Sequence, residues 1–121
     1  MTPPRPDYDP ELRALLADLP LVPELNAEVL AQIRPFASTP IESLLDGRAI
    51  ERREVTIPGP GDARIPLSIL RPAGSTGTTA APCVYWIHGG GMVMGDRYSQ
   101  LDLPLEWLDL LGAVVISVDY R

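Results

Sequence analysis

The sequence predicts an α/β protein in which helices come first, an antiparallel hairpin follows and a mainly parallel sheet then begins. Apolar residues recur at helical spacing before residue 48, and afterwards they alternate with polar residues or form unbroken runs. Two such runs, 83–87 and 113–118, are separated by a helical pattern, which is typical of a βαβ unit. We therefore expect a helical N-terminal segment over 1–48 and the beginning of a sheet-forming core over 49–121.

Three amphipathic helices are predicted in the N-terminal segment. Four leucines in residues 9–19 are spaced so that they share one helix face. A second helix is expected at about 23–34, with Pro23 at its first position. The third is expected to begin at Thr39, because T-P-I-E has the spacing of a capping box, and to end at Gly47. The four leucines of the first helix are Leu12, Leu15, Leu16 and Leu19.

A β-hairpin is predicted next. Apolar and polar residues alternate in 50–57 and again in 64–70, and the P-G-P-G-D-A between them has the composition of a turn. Proline has no amide hydrogen for a sheet ladder, so Pro66 places the second strand at or near a sheet edge.

The two unbroken apolar runs are rich in β-branched and aromatic residues, and we expect them to be strands covered on both faces. The helix between them, at about 99–111, is expected to end at Gly112, with Ser99 as a plausible cap at its start. Pro104 lies either in its first turn or at a kink. Cys83 falls inside the first run, which favours a buried, unreactive thiol.

Composition excludes several classes of function. The chain has 121 residues and a net charge of −6, which disfavours nucleic acid as a partner. No stretch is apolar enough for a membrane span, and the acidic start lacks an apolar signal core, so a cytoplasmic location is expected. With one cysteine and one histidine, neither an internal disulfide nor a metal cluster is expected.

The segment W-I-H-G-G-G-M-V-M-G-D-R, residues 86–97, carries the strongest functional signal. Its three glycines follow a buried run, at the carboxyl end of a strand, where ligands bind in open α/β sheets. Glycines there allow backbone amides to converge on a negative group, either a phosphate or the oxyanion of an attacked carbonyl. Phosphate is the weaker alternative, because Asp96 and Arg97 stand where a phosphate loop has Lys and Ser or Thr, and Met94 replaces the third glycine of a dinucleotide loop.

The H-G-G-G segment, the helix after it and the later V-V-I-S-V-D-Y-R together resemble the hormone-sensitive-lipase-like carboxylesterases of the α/β-hydrolase fold. The resemblance implies an incomplete α/β-hydrolase with N-terminal cap helices. It implies that Gly90 and Gly91 supply oxyanion-hole amides, that Gly89 allows the turn, and that His88 supports the loop without being the general base. Met92 departs from the Phe or Trp usual in the family, which affects the expected shape of the acyl pocket. No cofactor is implied.

A serine hydrolase also needs a nucleophile, a base and a carboxylate, and in this fold the serine stands in G-x-S-x-G. That motif does not occur in the 121 residues, and there is no second histidine. We therefore expect this chain alone to be inactive, with hydrolysis of short or medium acyl esters belonging to a full-length parent. The alternative is a non-catalytic interaction module. Its partner, or a second copy, would pair with the open sheet edge at 83–87.

Overall fold

The computed structural model describes residues 7–18, 24–77 and 80–120. Its helices are α1 (Pro10–Asp18), α2 (Ala27–Ile33), a 3₁₀ turn (Arg34–Phe36), α3 (Ile41–Leu45) and α4 (Asp102–Leu111). Its strands are β1 (Ile50–Pro58), β2 (Arg64–Pro72), β3 (Cys83–Ile87) and β4 (Val114–Val118). None of the described helices is long and apolar enough to cross a membrane.

The four described strands form one mixed sheet in the order β1-β2-β4-β3. The predicted hairpin is confirmed: β1 and β2 are antiparallel, and the Gly59 amide closes the turn by donating to the Ala63 carbonyl at 2.8 Å. β2 is also antiparallel to β4, whereas β3 and β4 are parallel and joined through α4. The predicted α/β class, with a hairpin leading into a βαβ unit, is therefore confirmed. The division between 48 and 49 stays a prediction.

β2 is the second strand of the sheet and is paired on both sides, so Pro66 does not mark an outermost strand. β4 pairs with β2 only over Leu67–Leu70, and Pro66 lies just beyond this ladder. The Pro66 carbonyl accepts the Asp119 amide at 3.0 Å. The missing proline N–H therefore falls at the end of the ladder between β2 and β4 and not within it.

The hydrophobic core lies on one face of the sheet. Leu70 and Val115 project from β2 and β4, and Leu105 of α4 packs with them; all three are fully buried. α4 ends at Gly112, as predicted, in the left-handed conformation with φ 64°. Pro104 is buried in the first turn of α4, where the absence of its N–H costs no helical hydrogen bond.

The N-terminal helices correct two expectations. α2 begins at Ala27, because the Asn26 side chain accepts the Val29 amide at 2.9 Å; Pro23 lies outside the described residues. The capping box is wrong, because α3 follows Pro40 and has no side-chain cap. α1 forms as predicted but buries no residue, and its last leucine, Leu19, lies outside the described residues.

β3 also differs from expectation, because only one of its faces is covered. Val84 and Trp86 pack against the core, whereas the side chains of Tyr85 and Ile87 are 56% and 63% exposed. Cys83 is exposed, not buried as predicted. The reason is that no described element covers the face of β3 from which Cys83, Tyr85 and Ile87 project, and an apolar run alone does not tell how many faces are packed.

Candidate functional site

The glycine loop, residues 88–97, begins at the carboxyl end of β3. Its turn is built on the Gly90 carbonyl, which accepts the amides of both Val93 and Met94 at 3.1 Å. Gly90 has φ 132°, and a Cβ there would lie 2.0 Å from the Met94 carbonyl oxygen. Only glycine fits this position, both because of its conformation and because of the close backbone approach.

The consecutive amides of Gly90, Gly91 and Met92 donate to no described residue, although those of Gly89, Val93 and Met94 all do. The sheet ladder therefore does not consume them. Unpaired backbone donors are uncommon in folded proteins unless water or a ligand pairs with them. Adjacent free amides at this rim of the sheet are suited to binding an oxygen atom that carries negative charge.

Met92 continues the turn with φ 61°, which is unusual for a residue with a Cβ. Backbone strain of this kind costs about 1–3 kcal/mol and is found most often at functional sites. The Met92 side chain is 80% exposed and lines one side of a cavity of about 260 Å³. Arg34, Val93, Met94 and Tyr120 are among the other residues of that cavity.

His88 is held rigidly under the loop. Its Nδ1 lies 2.7 Å from the Gly89 carbonyl oxygen, so Nδ1 carries the hydrogen and donates it. The Tyr120 ring stacks on the imidazole at 4.3 Å, and the Tyr120 hydroxyl donates to the His88 carbonyl at 2.6 Å. The residue is 3% exposed, and its buried Nε2 has no hydrogen-bond partner among the described residues. A ring nitrogen sealed in this way cannot take a proton from a nucleophile, so the geometry suits a supporting role.

The Gly89 amide is occupied, because it donates to Oε1 of Gln100 at 3.1 Å. This bond anchors the start of the turn, and the three amides that follow it, those of Gly90, Gly91 and Met92, donate to no described residue. Gln100 itself has φ 60°, a second strained non-glycine position in this region. Sequence reasoning missed Gln100, since nothing in the local pattern links it to residue 89.

Gly95 was also missed as a structural requirement. It has φ 88°, and a Cβ there would lie 2.8 Å from His88 Nδ1 and 2.9 Å from the Gly89 carbonyl oxygen. The signal in the sequence is the fourth glycine in G-G-G-M-V-M-G. Ser99 is not the cap of α4; its hydroxyl accepts the Asp96 amide at 2.9 Å and donates to the Ala37 carbonyl at 2.8 Å.

The N-terminal segment reaches the loop directly. Nε of Arg34 donates to the Val93 carbonyl at 2.7 Å across 59 positions of sequence. Together with the bond from Ser99 to Ala37, this contact fixes the segment against the loop. The sequence offered no signal for Arg34, because the pairing depends on the tertiary fold alone.

Arg97 ends the loop in a partly buried cluster of polar groups. Burial lowers the pKa of its guanidinium, but the hydrogen bond to Asp119 and the charges of Tyr98, Glu54 and Asp119 raise it by more, so the pKa lies above its ordinary value. Arg97 is therefore charged at neutral pH. No group of three or more His, Cys, Asp or Glu side chains that could hold a metal is found in the described part of the chain.

Comparison with known proteins identifies relatives of the chain as a whole. No family model matches the chain. An AB hydrolase superfamily protein from Schizosaccharomyces pombe is 33% identical over 82 residues, which are 68% of this chain and 23% of that protein. The solved structure of a bacterial heroin esterase is 29% identical, with a TM-score of 0.66 over 93% of this chain and 35% of that one.

Brefeldin A esterase, described as a bacterial homologue of human hormone-sensitive lipase, shares the fold with a TM-score of 0.53 at 22% identity, over 94% of this chain and 36% of its own. The chain thus spans about a quarter to a third of the length of the relatives it matches. It belongs to the α/β-hydrolase superfamily.

Proposed function

We propose that this chain is the front part of a serine carboxylesterase and supplies its oxyanion-hole loop. In this proposal the amides of Gly90 and Gly91 donate to the carbonyl oxygen of an ester, His88 and Gly89 hold the loop in place, and Met92 borders the acyl site. The chain alone lacks a nucleophile motif and a second histidine. We therefore expect catalysis only in a longer parent that adds the Ser, Asp and His residues.

The single observation that carries the proposal is the free amides of Gly90 and Gly91 beside a turn that only glycine can form. When a serine oxygen attacks the ester carbon, the carbonyl π electrons move to oxygen, which becomes negative. Preorganised amides at about 2.7–3.1 Å stabilise that charge more than they stabilise the neutral carbonyl. The histidine of the proposed parent takes the serine proton and gives it to the alcohol oxygen as the bond from carbon to that oxygen breaks. Water then adds to the acyl carbon, its proton passing through the same histidine to the serine oxygen as the bond to serine breaks and the acid leaves.

In this proposal the acyl group enters the small cavity beside the loop, whose lining includes Arg34 and Asp96 as well as the methionines and does not include Gly90 or Gly91. Its volume of about 260 Å³ is below the range of about 300–1,000 Å³ that is typical of drug-sized ligand sites. Met92, Val93 and Met94 contribute apolar wall to it. Short or medium acyl esters are therefore the substrate class we propose for the parent.

Two measurements test the proposal. The DNA beyond the codon for Arg121, read in all frames, is expected to encode G-x-S-x-G and later Asp and His codons; their absence would contradict it. The purified 121-residue chain is expected to hydrolyse nitrophenyl butyrate no faster than buffer. Turnover that a serine-directed phosphonate abolishes would show that the triad is already present and that the assignment of roles is wrong.

A second candidate function, an interaction module, is favoured by the position of β3. β3 is the outermost strand of the described sheet, and Tyr85 and Ile87 leave its free face apolar and exposed. Exposed apolar edge strands pair readily with other chains. In this candidate a second copy would extend the sheet along β3.

Light scattering distinguishes the two candidates. An interaction module would form a defined dimer that Ile87→Lys, at the edge, weakens at least tenfold, while Leu110→Lys on the exposed side of α4 leaves it unchanged. The hydrolase proposal instead expects concentration-dependent, non-stoichiometric association. A stable monomer would remove the module candidate.

A further inference from the structure

Arg97, the last residue of the glycine loop, joins the loop to the sheet through side-chain hydrogen bonds. Its Nη1 donates to Oδ2 of Asp119 at 2.7 Å, while Nε donates to Oγ of Ser68 at 3.0 Å and to Oε2 of Glu54 at 3.2 Å. One guanidinium thus joins β1, β2 and the residue that follows β4. The hydroxyl of Ser68 is fully buried and also donates to Glu54 at 2.8 Å, so the cluster has little freedom to rearrange.

The two ends of the glycine loop are held by the same short segment, residues 117–120. At one end, the Tyr120 hydroxyl binds the His88 carbonyl. At the other end, Asp119 binds the Arg97 side chain, and the Ser117 hydroxyl donates to the Arg97 carbonyl at 2.6 Å. Fixing residue 119 therefore also fixes the neighbouring tyrosine that holds the start of the loop.

We propose that Arg97, through its pair with Asp119, is a positioning residue that sets the place of the Gly90 and Gly91 amides. The charged hydrogen bond between Arg97 and Asp119 fixes the distance between the two ends of the loop. The conformation of the turn between those ends is thereby fixed as well. The side chain of Arg97 is 22% exposed, so solvent screens this pair less than a fully exposed one. This inference rests on the proposed function, in which the two amides form an oxyanion hole. Whether Arg97 positions them is measured without ester hydrolysis.

The alternative is that Arg97 merely stabilises the sheet. The two roles differ in where the protein loosens when the side chain is removed. A positioning role predicts loosening confined to the loop, whereas a general role predicts faster opening of every strand. Arg71 offers a matched control, since it pairs with Glu51 across β1 and β2 and does not touch the loop.

The experiment is amide hydrogen exchange, read by NMR on the ¹⁵N-labelled 121-residue chain and its Arg97→Met, Arg97→Lys, Asp119→Asn and Arg71→Met variants. Exchange is followed at the hydrogen-bonded loop amides of Gly89, Val93 and Met94, with the β4 amides as reference. Arg97→Met and Asp119→Asn are expected to speed loop exchange about tenfold, as the loss of a charged hydrogen bond implies. The ¹H–¹⁵N signals of Gly90 and Gly91 are expected to shift as well.

Arg97→Lys is expected to recover part of the protection, and Arg71→Met to leave the loop unchanged. Equal acceleration of loop and β4 exchange in the Arg97 and Asp119 variants would overturn the proposal. If Arg97→Met fails to fold, Arg97→Lys and Asp119→Asn decide alone: unchanged loop exchange in both overturns it. Because no ester hydrolysis is measured, this result is independent of the test of the oxyanion function.

Discussion

The two faces of β3 carry similar residues, but one face is packed against the core and the other is exposed. On one face, Trp86 lies edge to face with Trp107 at 6.5 Å and donates from Nε1 to the Ser99 carbonyl at 3.2 Å. On the other, Tyr85 and Ile87 meet no covering layer among the described residues and stay more than half exposed. An apolar run therefore predicts a strand, but the burial of that strand depends on which elements from elsewhere in the chain pack against it.

Loss of packing on the covered face should give the largest effect. Leu105 of α4 is fully buried in the core, so Leu105→Ala is expected to lower the free energy of unfolding by about 2–5 kcal/mol. Leu110 lies on the same helix and is 79% exposed, and Leu110→Ala should change stability by less than about 0.5 kcal/mol. Urea unfolding followed by tryptophan fluorescence measures both. Equal losses would contradict the one-sided core.

The glycine turn gives the next largest effect. Gly90→Ala forces a Cβ to 2.0 Å from the Met94 carbonyl, and a local cost of about 2–3 kcal/mol is expected. Gly91→Ala meets no atom within 4 Å and carries only the conformational cost of φ 60°, about 1 kcal/mol. Exchange of the Val93 and Met94 amides measures the difference. A turn equally tolerant of alanine at both positions would refute the close-approach argument.

The open face should respond weakly in stability and clearly in surface properties. Ile87→Ser removes an exposed apolar group, so the free energy of unfolding should change by less than about 1 kcal/mol. Binding of a hydrophobic dye should fall, because the exposed apolar patch shrinks. A loss of several kcal/mol would mean that this face is packed in solution.

The smallest effect concerns Glu51, at the far end of the hairpin. Two groups lower the pKa of Glu51 below its ordinary value of 4.5. The hydrogen bond from the Gly74 amide has the larger effect, and the Arg71 guanidinium adds to it. The folded state therefore gains stability that is fully present above pH 4.5 and is lost as the pH falls through the lowered pKa. Glu51→Gln should flatten this part of the acid unfolding curve slightly, since the pair is exposed. An unchanged curve would show that the pair contributes nothing.

Local sequence patterns predicted the helices, strands and turns better than they predicted what packs around each of them. Alternation identified β1 and β2, Gly112 marked the end of α4, and the three glycines marked the turn after β3. Each depends on residues close in sequence. The assignment of the free amides as oxyanion donors stays a prediction.

The expectations that failed depend on tertiary context. The capping box predicted at Thr39 does not form, because α3 starts after Pro40. Cys83 is exposed because no described element covers its face of β3. The bonds from Arg34 to Val93 and from Arg97 to the strands join residues that only the fold brings together. Neither spacing nor composition contains that information.

A crystal structure of the proposed longer hydrolase, with its serine trapped by a phosphonate ester, tests the oxyanion assignment most directly. The phosphonyl oxygen is expected within about 2.7–3.1 Å of the backbone nitrogens of both Gly90 and Gly91. A phosphonyl oxygen bound elsewhere, with these two amides paired to protein or turned away from the adduct, would contradict it.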